Sequence, residues 1–149
     1  MAELSKIERE QFLAEPQVGV ISVAGDTGRP PLAVPIWYAY EPGGDLTFFT
    51  QTQGRAARKV RLIEKAGVVT FLVQRNEAPY KYVSVECSVV QVDAPPSAEQ
   101  MLAIARRYLP EEYAQGFVTG ELGRPDCKVT HYAVRPERWL TADFSDVSA

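Results

Sequence analysis

Between Val18 and Thr50 three apolar runs are separated by nothing longer than a turn. VGVISVA runs from Val18 to Ala24 and is followed by the turn DTGRP. PLAVPIWYAYE is followed by the reversal EPGGD, and LTFFT returns. A parallel strand pair needs a crossover of a dozen or more residues, so connections this short imply an antiparallel meander. Pro35 lies inside the second run. It cannot donate to a ladder, so it marks an edge, a bulge or a site where something other than a strand occupies the ladder.

Further strands follow at VVTFLVQ and, after a loop through Asn76 and Pro79, at YKYVSVECSVVQVD. The latter alternates, with Val83, Val85, Cys87 and Val89 on one face and Tyr82, Ser84, Glu86 and Ser88 on the other. KVTHYAVRPERW reads as a last strand and a bend. Helices are expected from LSKIEREQFLAEP, where Ser5 and Glu8 have capping-box spacing and Pro16 is the stop. Ser97 and Gln100 repeat that spacing before a helix that Pro110 ends, and EEYAQGFVTG reads as another helical piece. The reading is mainly β, with about six antiparallel strands in hairpin order forming a barrel whose ends are covered by short helices.

The chain has 149 residues and no repeat or linker, so one domain over 1–149 is expected. It is 46% hydrophobic and 23% charged, the balance of a soluble globule. A net charge of −3 leaves no wide basic field and argues against nucleic acid as a partner. No apolar run approaches the ~20 residues of a membrane span. The beginning, MAELSKIEREQFL, lacks the apolar core of a signal peptide. Cys87 and Cys127 give no disulfide framework. A cytoplasmic location is expected.

One stretch runs against the usual rules. After LTFFT and the polar QTQG, a helix opens with Arg55, Arg58 and Lys59. Cations in the first turns oppose the helix dipole, which prefers anions there. A single phosphate would reconcile them, because the N-terminal amides, the dipole and the cations can converge on one anion. The alternative is a solvated helix with its cations in water. The GxxxxGK[ST] spacing of a nucleotide-binding loop is absent.

Trp37, Tyr38 and Tyr40 can stack on a flat ligand or fill the core and an interface, and Tyr80, Tyr82 and Trp139 carry the same two readings. His131, the single histidine, sits mid-strand and is read as structural; Glu86 is read as an ordinary polar-face residue. No hydrolase triad or metal-ligand set is present. Any catalysis must therefore come from a bound cofactor.

In order and spacing, VGVISVAGDTGRPPLAVPIWYAYE, LTFFTQTQGRAARKVRLIEKAG, VVTFLVQ and YKYVSVECSVVQV together resemble the pyridoxamine 5′-phosphate oxidase-like split-barrel flavoproteins, including their flavin/deazaflavin oxidoreductase branch. The resemblance spans Ser5 to about Asp143. It implies an antiparallel six-stranded split β-barrel that pairs as a homodimer, with the cofactor between subunits. The cofactor would be FMN or coenzyme F420, an 8-hydroxy-5-deazaflavin with an acidic tail, and hydride would pass to or from a small organic substrate. Thr50, Arg58 and Lys59, with Arg55, match phosphate-binding positions, and Phe49 precedes them. Val34, Pro35, Ile36 and Trp37 match the strand beside the ring. Tyr82 matches a contact made from the second subunit. Arg61 and Lys65 can serve the acidic tail or stand exposed. Two departures accompany the match: Cys87 stands where the family usually has glycine, and the C-terminal substrate signature of the vitamin B6 enzymes is missing. Vitamin B6 chemistry is therefore not expected. The rival readings are a flavin or tetrapyrrole carrier without turnover, and a cofactor-free dimer whose basic helix meets a protein partner.

Overall fold

Among the described residues the apolar runs fold as seven strands: β1 (Gly19–Val23), β2 (Leu32–Ile36), β3 (Tyr38–Tyr40), β4 (Leu46–Gln51), β5 (Val68–Gln74), β6 (Lys81–Asp93) and β7 (Val129–Asp143). The structure, a computed structural model, describes residues 2–54 and 56–148. Every strand pairing is antiparallel. The strands form one sheet in the order β2-β1-β5-β6-β7-β4-β3.

β2 and β3 stand at opposite ends of that order, yet Trp37 alone joins them. Two edges tethered by one residue must lie side by side, so the sheet curls until they meet and becomes a barrel. The expected single strand through PLAVPIWYAYE is thus two strands. Its first half pairs with β1 and its second with β4, and the chain changes partner at Trp37. Beyond that point the ladder with β4 stops and the barrel is split. Six runs of chain make the barrel, one of them broken in two.

The barrel interior is apolar. Ile21, Phe48, Phe71, Val85 and Tyr132 fill it, joined by Phe12 and Leu13 of α1 (Lys6–Ala14) and by Leu62 and Ile63 of α2 (Ala56–Ala66). α1 starts at the expected capping box, with the Glu8 amide donating to Ser5 Oγ at 3.2 Å and the Ser5 amide to Glu8 Oε1 at 3.0 Å. The alternation expected in β6 is seen at Val83, Val85 and Cys87, all buried. A register shift between Val89 and Gln91 then ends the alternation, and Val90, Gln91 and Val92 are all exposed.

Two expectations need correction. α3 (Ala98–Ala105) and α4 (Glu111–Leu122) do not cover a barrel end. They lie along the outer face of β4 and β7, where Met101, Ala114 and Val118 form a second apolar cluster with Val129 and Phe49. β7 also does not end in a bend at Pro136. It runs on to Asp143, because Pro136 falls at a register shift opposite Cys87, where an irregular ladder tolerates a missing donor. A short α5 (Ser145–Ser148) closes the described chain. Among the described residues, no helix is long and apolar enough to cross a membrane.

Candidate functional site

β4 delivers the chain to α2 through Thr52, Gln53 and Gly54, whose φ of +63° lets the backbone turn sharply. The turn uses up two of the first amides of α2: Ala56 donates to the Gln53 carbonyl and Ala57 to that of Gly54, each at 3.2 Å. The expectation that the leading amides converge on an anion is therefore corrected for these two. Side chains must do most of the work. Thr52 is also committed, its hydroxyl and amide both donating to the Lys128 carbonyl.

Arg58 and Lys59 each precede a buried core residue by one helical turn, Leu62 and Ile63 respectively. Residues four apart share a face, so both cations lie on the side of α2 that turns toward the barrel. They are half-buried, and among the described residues neither forms an ion pair. Among the described residues, Arg58 Nε is buried without a hydrogen-bond partner. Burial holds the Lys59 ammonium below its ordinary pKa. Thr50, buried at the end of β4, offers a hydroxyl whose single bond is to the neighbouring Gln51 carbonyl at 3.4 Å, the limit of hydrogen-bond reach. Arg55 lies outside the described residues.

The split opens at the end of β4 that carries Thr50. Tyr38 pairs with Phe48, and continuing that register past the end of the ladder sets Trp37 beside Phe49 and Ile36 beside Thr50. A groove of about 290 Å³ lies there, lined by Val18, Pro35, Ile36, Trp37 and Phe49. β2 pairs only with β1, so alternate backbone groups along its other edge have no ladder partner. Val34 and Ile36 turn toward the core, while Pro35 is exposed. Trp37 is not a free platform. Its ring stacks on Tyr108 at 5.0 Å with an interplanar angle of 5°, and both Trp37 and Phe49 lean on Phe117.

Other candidates go elsewhere. Tyr38 fills the barrel and donates to the Leu13 carbonyl, and Trp139 lies under the Arg9 guanidinium. His131 is buried on the α3 side of β7, bordering a separate hollow of about 670 Å³, and burial holds its pKa below the ordinary value. Cys87 points into the barrel, where burial pushes its thiol up to about 12. Tyr82 sits opposite Gln74 and lines a separate hollow with Arg75 and Phe144, which none of the phosphate-side candidates enters.

Two residues that the sequence did not single out shape the site. Tyr108, just past α3, donates to the Gln17 carbonyl at 2.8 Å and accepts from the Tyr38 amide at 3.2 Å, fixing the strand break on which Trp37 sits. Asp26, in the turn after β1, grips Arg61 with two bonds of 2.9 Å and lies 4.0 Å from Lys65. Those contacts hold its carboxyl at about 2, well below the usual range.

Fold and site together define a split β-barrel whose α2 carries two half-buried cations without an ion pair among the described residues. The model of the pyridoxamine 5′-phosphate oxidase family matches residues 5–139, and the chain belongs to that family. No curated protein matches it. Among solved structures it is similar to one described as an F420 reductase, at 24% identity with a TM-score of 0.68, covering 88% of this chain and 94% of the other. A conserved hypothetical protein from Mycobacterium tuberculosis is 17% identical with a TM-score of 0.73, over 98% and 89% of the two chains. An FAD-binding protein from Mesorhizobium loti is 19% identical with a TM-score of 0.60, over 94% and 95%. At these identities the likeness is one of fold.

Proposed function

We propose that this protein is a flavin- or deazaflavin-dependent oxidoreductase whose cofactor lies in the split and passes hydride to or from a small organic molecule. The observation that carries the reading is the Arg58–Lys59 pair, half-buried and without an ion pair among the described residues, on the helix that follows the groove-lining strand β4. Buried cations without partners are costly, and a phosphate is the anion that restores them. Family membership, and neighbours described as an F420 reductase and as FAD-binding, support a flavin-type ring.

The bound ring supplies the hydride chemistry. The chain's own residues would hold and shield it. Arg58, Lys59 and Thr50 would take the phosphate. The unpaired backbone edge of β2, from Val34 to Trp37, would meet the polar rim of the ring. Trp37 and Phe49 would keep water from one side. A groove of about 290 Å³ is at the small end for an organic ligand. A second copy of the chain would complete the walls, and Tyr82 is the residue it would contribute.

A binding titration with FMN and with the deazaflavin coenzyme, followed by fluorescence, tests the reading. Lys59→Ala is expected to weaken affinity for the bound cofactor at least ~10-fold, the scale of one charge-assisted contact. Unchanged affinity would remove Lys59 from the site.

A carrier without turnover is the second reading, favoured by one observation: none of the five groove-lining residues titrates. Cofactor that binds but is neither reduced nor oxidised by any donor would establish it. An iron tetrapyrrole is a poorer fit, since neither His131 nor Cys87 nor Cys127 is among the residues lining the groove.

A further inference from the structure

Arg58, Arg61 and Lys65 are spaced three and four residues apart on α2, so they form one stripe. At 1.5 Å per residue it runs about 10 Å from the candidate phosphate site. The stripe is the track that an acidic extension beyond the phosphate would follow. Its outer half is already occupied. Asp26 meets the Arg61 guanidinium fork to fork, both bonds 2.9 Å, and Lys65 Nζ stands 4.0 Å from the same carboxylate. Arg58 adds its field to Asp26 from the near side. A carboxylate supplied by the protein thus stands where a carboxylate of the ligand would bind. The inner pair, Arg58 and Lys59, has no such partner among the described residues.

We propose that Asp26 is a specificity-determining residue that makes this site read the phosphate of its cofactor and ignore an acidic tail. This rests on the flavin-type reading above. A tail could reach Arg61 and Lys65 only by displacing Asp26, trading one carboxylate for another with little gain. Affinity should then depend on the ring and phosphate and be nearly independent of how many carboxylates follow.

The test titrates the full-length protein with three probes: FMN, the deazaflavin coenzyme with its glutamyl tail, and the same phosphate-bearing coenzyme without glutamates. The parent protein should bind the two deazaflavins equally, within about twofold. Asp26→Asn retains a turn-compatible residue, frees Arg61 and Lys65, and should tighten the tailed coenzyme about three- to fivefold, the upper range available to exposed charge pairs. FMN and the tailless coenzyme should stay within about twofold of the parent. The gain should fade by ~1 M salt and vanish when Arg61→Gln is added. A parent that already prefers the tailed coenzyme by more than threefold overturns the proposal while leaving the cofactor site intact. So does an Asp26→Asn protein with unchanged preference. Failure of all three probes to bind overturns the flavin-type reading itself, and this inference with it.

Discussion

Lys59 is asked to satisfy two opposed demands. In the empty protein burial disfavours its charge and holds its pKa below the ordinary 10.5. Between that lowered value and 10.5 the unfolded chain binds the additional proton, so stability rises with pH across the window. A bound phosphate reverses the shift, so cofactor affinity should fall over the same window as Lys59 loses its proton. Lys59→Met should raise the melting temperature of the empty protein by about 1–3 °C, a modest gain because the side chain is only half-buried, while weakening the cofactor. Lys59→Arg should hold affinity to higher pH, because a guanidinium stays charged. Thermal melts and titrations from about pH 7 to pH 10 check both. A Lys59→Met protein that melts below its parent would sink the account. The Arg58–Lys59 pair stands out in the sequence because cations at a helix start run against the dipole rule, and a bound anion is one of two ways to reconcile them. Asp26 does not. Its partner Arg61 is 35 residues away, and DTGRP reads only as a turn.

Among elements, the α3–α4 pair matters most to the groove. Its corner carries Tyr108, which stacks on Trp37 and hydrogen-bonds Tyr38, just after the strand break, and the Gln17 carbonyl, just before β1. Tyr108→Phe keeps the stack and removes the hydroxyl, leaving the Tyr38 amide and the Gln17 carbonyl to find other partners. A loss of about 1–2 kcal/mol is expected in urea unfolding. Tyr108→Ala should cost more, since the ring contact goes as well. Equal stability of Tyr108→Phe and parent would show that packing alone pins the break. The strands themselves were readable, since alternation and short turns are local signals. The break at Trp37 and the continuation of β7 past Pro136 were not, because each depends on which distant strand stands opposite. For the same reason Trp37 was open between ligand and core, and the structure gives one of its faces to Tyr108.

At the scale of the whole molecule, the barrel leaves one side bare. The row Pro35–Val20–Leu72–Ser84–Leu140 crosses five strands in register, and Pro35 and Leu140 at its ends are exposed. Tyr82 is two residues from Ser84 on β6 and therefore on the same face. The chain exposes 8478 Å², whereas a monomer of 16.5 kDa is expected to expose about 7,600 Å². The excess, roughly 900 Å², is close to one partner's share of a standard interface. A homodimer through this face would cover the row and carry Tyr82 of one subunit toward the groove of the other. Leu72→Arg sets a charge in the middle of the row without entering the barrel. It should keep its far-UV circular dichroism, sediment as a monomer, and bind cofactor at least ~10-fold more weakly, because burying an unpaired charge opposes association. A parent that sediments as a monomer would refute the dimer. A monomeric Leu72→Arg protein with full cofactor affinity would leave the dimer standing but confine the site to one chain, and Tyr82 would then have no part in it.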